Sequence, residues 1–466
     1  MRICMILEGS YPYSRGGVSS WTDGYIKAFP DYEFVLWLIG ADSESKGKFK
    51  YEIPENVVEI HEVFLNDAFT LPYLHKKLPR FGVEEKEELL KLLKFKDPDW
   101  EVVFESADCG RLDPVSFLTS ELFLNEINEL CEARYPYLPF SDLFHTMRSM
   151  LLPLLFLLSQ DIPNADIYHS AVTGYGGILG SIGSWKNKKP FLVTEHGIYS
   201  REREEEVIRA KWVKSHLKDL WIDLFAMLSR CAYLCAQRVT ALYGHAGEIQ
   251  EQLGCPKEKL SIIGNGIRVE VFSAIPKKET DDIVDIGAVV RIAQIKDIKT
   301  MIYGFAELTN SVVNAKLHIL GDVDNQEYFE ECKQLVKYLN VKGIEFVGNV
   351  DVRQYIRKLD FSILTSISEG QPLALLETMA VGLPVVATDV GACREMIEGI
   401  GIDDLGDCGF VCPPMDAEAL ASAMKRLCVS PTLREKMGQI GKQRTAAYFD
   451  YGKMITSYNK LYEELT

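Results

Sequence analysis

The stretch Phe361-Ser-Ile-Leu-Thr-Ser-Ile-Ser-Glu-Gly-Gln-Pro-Leu-Ala-Leu-Leu-Glu-Thr-Met-Ala-Val-Gly-Leu-Pro-Val-Val-Ala387 holds a strand, a loop, a helix and a second strand in one short run of chain. Phe361–Leu364 and Pro384–Ala387 are short and apolar throughout, as strands covered on both faces are. Between them Pro372 can open a helix whose apolar stripe is Leu373, Leu376, Met379 and Ala380. Strand, helix, strand is the repeating unit of a parallel sheet with helices on its faces.

The same alternation runs outward in both directions. It predicts strands at Arg2–Leu7, Phe34–Ile39, Ile167–His169, Phe191–Thr194 and Arg238–Ala241 in the first half. A fresh series in the second half begins at Ser261–Ile263 and continues at Ile283–Val290, Lys316–Leu320, Ile344–Val347, Phe361–Leu364, Pro384–Ala387 and Gly409–Val411. The expected fold is α/β, with two doubly wound parallel-sheet domains over residues 1–270 and 271–445. The boundary falls near Ile267–Thr280, where Asn265-Gly266 and Pro276-Lys-Lys-Glu-Thr280 read as a turn and a polar linker. A helix-rich insertion at about 63–158 is expected to cap the first domain. Residues 446–466 end in an amphipathic helix that can pack on either domain, including back on the first.

A chain of 466 residues, 47% hydrophobic and 25% charged, is large enough for two cores. A net charge of -16 argues against nucleic acid as a partner, because that binding rests on clustered Lys and Arg. The eleven cysteines are scattered, with Cys231/Cys235 and Cys408/Cys412 the only close pairs, and read as small buried hydrophobes in a reducing compartment. The apolar start Met1–Leu7 is too short for a signal peptide, and the longest apolar run, Met150–Leu158, is far short of a bilayer span. The expected location is the cytoplasm.

Three groups of residues carry chemistry. Gly16-Gly17 precede the helical stretch Ser19–Phe29, where backbone N–H groups can approach an anion; on these residues alone a tight turn is the simpler reading. Neither the dinucleotide fingerprint nor a P-loop occurs. Arg291 and Lys296 follow a predicted strand, at the end where doubly wound sheets bind ligands, and two cations there suit a diphosphate; solvated surface charges are the alternative. Glu369 lies in a loop and Glu377 on the following helix, so both carboxylates can accept hydrogen bonds from one hydroxyl-rich ligand, unless both merely face solvent.

The run Glu369-Gly-Gln-Pro…Glu377-Thr-Met-Ala…Gly382-Leu-Pro-Val-Val-Ala-Thr-Asp389 resembles the Glu-x7-Glu signature of the family 4 retaining glycosyltransferases, which have the GT-B fold of two facing Rossmann-like domains. Arg291/Lys296, Leu320-Gly-Asp322 and Phe346-Val-Gly-Asn-Val350 come in that family's order. Leu7-Glu-Gly-Ser-Tyr-Pro, Arg15–Trp21, Thr194–Glu204 and Lys296-Asp-Ile-Lys-Thr300 resemble the branch that assembles the Pel exopolysaccharide of biofilms.

The resemblance implies roles. Arg291 and Lys296 would neutralise the donor diphosphate, Glu369 would bind donor-sugar hydroxyls and Glu377 the ribose. Gly370, Gln371, Pro372 and Leu373 would line the sugar and phosphate site, Gly16 and Gly17 would abut the diphosphate from the other domain, and Asn349, Val350 and Arg353 match the base-binding segment. His196 would face the donor sugar, with a purely structural histidine as the alternative; His169 is a weaker candidate of the same kind. Gln371 and Asp297 depart from the family pattern, which often has an aromatic or aliphatic residue and a glycine there. The donor would be a UDP-hexose used without metal or other cofactor, the acceptor a growing polysaccharide, and the partners membrane-embedded synthase subunits at the inner face of the membrane. Arg201–Glu206 reads as a solvated helix face, with Arg201 and Arg203 serving donor or acceptor as the alternative, and Lys211–Phe225 forms a basic, tryptophan-bearing amphipathic stretch able to touch a membrane partner, core packing being the simpler reading. The rival readings are an epimerase or phosphorylase on the same fold and a non-catalytic nucleotide-sugar-binding subunit.

Overall fold

A computed structural model describes residues 1–72, 81–279 and 281–466. Residues 73–80 of the expected insertion, and Thr280 at the end of the expected linker, lie outside the described residues.

The chain divides into two compact units, the first comprising Met1–Ala241, Ala246–Ile262 and Asn459–Thr466, the second Leu242–His245 and Ile263–Tyr458. In the first unit β1 (Arg2–Glu8), β2 (Glu33–Gly40), β3 (Val57–Phe64), β4 (Ile167–Ser170), β5 (Phe191–Glu195), β6 (Arg238–Ala241) and β7 (Leu260–Ile262) form a parallel sheet in the order β3-β2-β1-β4-β5-β6-β7. In the second, β8 (Val284–Val289), β9 (Ala315–Leu320), β10 (Ile344–Gly348), β11 (Phe361–Leu364), β12 (Val385–Thr388) and β13 (Gly409–Cys412) form another, ordered β10-β9-β8-β11-β12-β13. Both sheets place a strand reversal beside the first strand of the unit, where open α/β sheets leave a crevice at the strands' carboxyl ends.

Two strand expectations need correction. β3 was not anticipated. It is an edge strand whose Val58, Glu59 and Ile60 are exposed, so the continuous apolar run that marks the interior strands is missing. The strand expected to open the second series, Ser261–Ile263, is β7 and pairs with β6 at the far edge of the first sheet. Three residues of strand do not specify a partner, so long-range pairing decided its sheet.

The insertion is helical, with helices at Val83–Leu93, Trp100–Asp108, Glu121–Arg134 and Phe140–Leu158. Their apolar faces join the core of the first unit, and Met150–Leu155, the heart of the long apolar run, is wholly buried there. The chain ends in the helix Tyr451–Leu465. Its Tyr462 hydroxyl lies 2.8 Å from the Tyr25 hydroxyl and 2.6 Å from His169 Nδ1, and Tyr32 donates to Asn459 at 2.7 Å, so these last residues are held within the first unit by buried polar contacts. In the second unit Arg444 is completely buried. It donates to Asp403 at 2.7 and 2.8 Å and to the carbonyls of Met396, Ile397 and Gly406, fastening the loop before β13. Among the described residues no helix is long and apolar enough to cross a membrane.

Candidate functional site

The loops after β8 and β11 are stitched together in the second unit. Thr365 Oγ1 lies 2.9 Å from the carbonyl oxygen of Lys296 and 3.0 Å from that of Asp297, and Ile367 N–H donates to Ile295 at 2.8 Å. Thr388, at the end of β12, donates to the carbonyl of Ser366 at 2.6 Å. These bonds fix the backbone beneath the side chains. Lys296 Nζ lies 2.5 Å from Glu369 Oε1, and Ser366 Oγ donates to that same oxygen at 2.5 Å. With side chains only 17% and 11% exposed, the Lys296–Glu369 pair is partly withdrawn from water, where an ion pair is felt more strongly. Both contacts fall on Oε1, which leaves Oε2 as the acceptor available to a hydroxyl.

Asp297 sits at φ 45°, ψ 55°, in the left-handed region that glycine enters freely and most residues enter at a cost of about 1 kcal/mol. This conformation accounts for both the glycine the family pattern favours and the residue found here. Aspartate tolerates the region, and its Oδ1 accepts from Thr300 N–H at 3.2 Å, capping the helix Ile298–Thr309.

Past Glu369, the carbonyl of Gly370 accepts from Ala392 N–H at 2.8 Å. Gly391, at φ +53°, comes so close that a Cβ would lie 2.2 Å from the Glu369 carbonyl oxygen; only glycine permits this approach. Gln371 is buried, and its side-chain oxygen accepts from Asn265 N–H at 2.5 Å. The residue expected to line a ligand therefore spends its carbonyl group on the chain's own backbone. Pro372 precedes the helix Leu373–Val381, which has no side-chain cap at its start, so its first N–H groups remain donors without a side-chain partner. Leu373 is half-buried at that start.

Glu377 lies just over one turn into this helix and is half-buried. Burial pushes its pKa up to about 7, opposed by the positive charge of Arg353. A carboxyl so placed favours a ligand that donates hydrogen bonds to it. Arg353 itself is exposed and pairs with Asp351 at 3.2 Å. Asn349 Nδ2 donates to Asp322 at 3.0 Å, and Val350 is half-buried beside it. Arg291, expected to act with Lys296, is paired with Asp324 and is 60% exposed. Sequence reasoning did not single out Thr365 and Ser366 as polar support for Lys296 and Glu369. Their signal was two adjacent hydroxyl residues at the carboxyl end of a predicted strand.

In the first unit Gly16 and Gly17 are exposed at the start of the helix Gly17–Ala28, and a Cβ on either would meet nothing within 4 Å. Glu8, Val18, Val172, His196, Tyr199 and Arg203 line a cavity of about 230 Å³ at the carboxyl ends of β1, β4 and β5. His196 packs its ring edge-on against Trp21 at 4.4 Å, and burial lowers its pKa to about 4, so its ring is neutral at pH 7. Its Nε2 is buried without a hydrogen-bond partner among the described residues. Glu8 accepts from Tyr199 Oη at 3.0 Å and Gly176 N–H at 3.3 Å, and burial raises its pKa. Arg203 pairs with Glu206 at 2.7 Å and lies over the Tyr199 ring, while Arg201 is exposed. His169 is wholly buried between Tyr462 and Thr194, the latter 2.8 Å from its Nε2, and is a packing residue. Among the described residues all eleven cysteines are free, ten being buried or half-buried and only Cys109 exposed, and no group of three or more His, Cys, Asp or Glu is arranged to hold a metal ion.

Comparison with known proteins divides the chain in the same way. Residues 1–258 match a domain of unknown function, DUF3492, and residues 282–430 match the glycosyl transferases group 1 family. A Mycolicibacterium hassiacum MMP alpha-(1->4)-mannosyltransferase is 24% identical over 59% of this chain and 65% of its own length, so the match spans less than two thirds of that relative. The Staphylococcus aureus capsular polysaccharide biosynthesis glycosyltransferase CapM is 24% identical over 73% of this chain and 87% of its own. The crystal structure of Anabaena HepE in complex with UDP superposes with a TM-score of 0.63 at 16% identity, covering 100% of both chains. With two parallel Rossmann-like sheets of the GT-B class, the chain belongs to the DUF3492 family and carries a group 1 glycosyltransferase domain in its second unit.

Proposed function

We propose that this protein is a retaining, metal-independent hexosyltransferase that moves a sugar from a UDP-hexose to a growing exopolysaccharide. The observation that carries the reading is the Lys296–Glu369 pair, set at a strand end and followed in the chain by an uncapped helix that carries Glu377. Lys296 and Arg291 neutralise the diphosphate, with the first N–H groups of the helix Leu373–Val381 as further donors. Glu369 Oε2 takes donor-sugar hydroxyls and Glu377 takes the ribose; each charged hydrogen bond contributes on the order of 1.5–3 kcal/mol. These fixed cations and amides supply the charge stabilisation that a divalent cation supplies in other transferases.

For retention of configuration the reaction runs on one face of the sugar. The bond from C1 to the diphosphate oxygen breaks, the acceptor oxygen bonds to C1 from the same side, and the acceptor proton passes to the departing phosphate oxygen. The protein then has to position and stabilise charge rather than supply a nucleophile. His196, neutral and with a free Nε2, is a hydrogen-bonding group for the donor sugar.

UDP as the nucleotide is supported by the HepE complex, and a polysaccharide product by CapM. The runs Leu7–Pro12, Arg15–Trp21 and Thr194–Glu204 resemble PelF, the glycosyltransferase of Pel exopolysaccharide assembly, and this favours a Pel-like product made beside membrane-embedded synthase subunits. The deciding experiment incubates purified protein with UDP-glucose and UDP-N-acetylhexosamines, an oligosaccharide acceptor and excess chelator. Release of UDP with an α-linked product, lost in Lys296→Ala and Glu369→Ala, supports the assignment. Sugar transfer that survives both substitutions refutes it. UDP binding without transfer, with acceptor and membrane partners present, favours a sensor subunit instead.

A further inference from the structure

A second groove of the first unit, of about 890 Å³, lies at the opposite ends of the strands from His196. Pro190 and Gln237, which line it, immediately precede β5 and β6, whereas His196 follows β5. Five strand residues separate the two ends, roughly 16 Å. The groove therefore has no part in the cavity around Glu8 and His196.

Its wall is aromatic. Trp100, the first residue of the helix Trp100–Asp108, packs against Phe104 with ring centroids 5.8 Å apart, and Phe104 packs against Trp185 at 6.0 Å. Trp100 is only 5% exposed, yet its indole N–H is buried without a hydrogen-bond partner among the described residues. A buried donor left unpaired costs about 1–3 kcal/mol, a cost that an acceptor entering the groove and reaching this N–H would remove. Lys188 adds a second irregularity. It holds φ 51°, ψ 44°, a left-handed conformation at a helix end where glycine is favoured, and its ammonium lies 5.1 Å from the Trp185 ring centroid. A non-glycine residue kept in that region points to a local role.

The polar lining selects the ligand. Lys188 and Lys189 are set against Asp99, Glu101 and Glu464, two cations to three carboxylates, so the groove has no excess of positive charge to draw an anion. Gln237 gives its side-chain oxygen to Phe191 N–H at 2.6 Å, which leaves its NH₂ as a donor. Aromatic rings to cover C–H faces, an orphan N–H seeking an acceptor and carboxylates seeking donors are the complement of a pyranose, whose hydroxyls do both. We propose that this groove is a second saccharide-binding site that takes a neutral oligosaccharide, an already assembled portion of the polymer, away from the site of transfer. The polymer-holding role rests on the transfer reading above; saccharide binding itself does not.

Isothermal titration of the full chain with cellopentaose, maltopentaose and penta-N-acetylchitopentaose tests it. At least one is expected to bind saturably, with affinity cut roughly tenfold by Trp185→Ala and measurably by Lys188→Ala, an exposed change that leaves folding intact. Trp100→Phe, which keeps a ring and deletes the N–H, is expected to weaken binding in the same direction. Stabilisation by UDP should be the same in all variants. Binding of none of the three sugars, or binding unchanged in both Trp185→Ala and Lys188→Ala, overturns the proposal. Oligosaccharide binding with no response to UDP leaves this site standing and removes the transfer reading alone.

Discussion

Lys296 Nζ and Glu369 Oε1 lie 2.5 Å apart, although seventy-three positions separate them in the chain. The pair exists because Thr365 and Ile367 tie the loop after β11 to the loop after β8. Removing one partner leaves a poorly solvated charge behind. Lys296→Ala is expected to lower stability by about 1–3 kcal/mol, less than a fully buried pair because both groups keep some contact with water. Lys296→Met combined with Glu369→Gln should lose less than the sum of the single changes. Urea unfolding of the four proteins checks this coupling.

The carboxyl of Glu377 has a pKa raised from 4.5 to about 7 by burial. The fold thus binds this proton more tightly than the unfolded chain does. Its stabilising contribution is complete below pH 4.5 and is lost as pH rises through about 7. Wild-type unfolding free energy should therefore fall between those values relative to Glu377→Gln, by on the order of 1–3 kcal/mol. An equal pH dependence in both proteins would show that Glu377 is not the group responsible.

His196 and His169 carry the opposite sign. Burial lowers them from 6.5 to about 4 and about 3, so the unfolded chain binds protons that the fold refuses. Stability present above pH 6.5 is lost as pH falls toward about 4. Proton NMR of the two imidazole rings should show no titration between pH 8 and 5. A midpoint near 6.5 for either ring would mean that it is hydrated.

Asp297 combines a left-handed backbone with a helix cap. Asp297→Gly relieves the first and loses the second, and should change stability by no more than about 1 kcal/mol. Asp297→Ala keeps the strain and loses the cap, and should cost about 1–2 kcal/mol. Thermal unfolding of both variants separates the two contributions.

Interior strands and their helices were legible in the sequence because burial on both faces writes itself as short apolar runs, as at Phe361–Leu364 and Phe191–Glu195. The edges were not. β3 carries exposed Glu59 and Ile60 and lacks such a run, and β7 is too short to indicate which sheet it joins. The candidate site divides along the same line. Glu369, Glu377 and Lys296 were legible as candidates because each stands at a fixed offset from a readable strand or helix. Spacing could not show that Arg291 would pair with Asp324, that Gln371 would be buried against Asn265, or that His169 would be locked between Tyr462 and Thr194.

By itself the sequence determined the local elements, their parallel α/β arrangement and the residue types able to hold a charged, hydroxyl-rich ligand. Only the tertiary structure decided which of those residues meet and which are consumed by internal bonds. The physical reason is reach: periodicity records whether a residue faces core or water, whereas a hydrogen bond or ion pair between distant loops depends on register and loop closure that no single segment encodes.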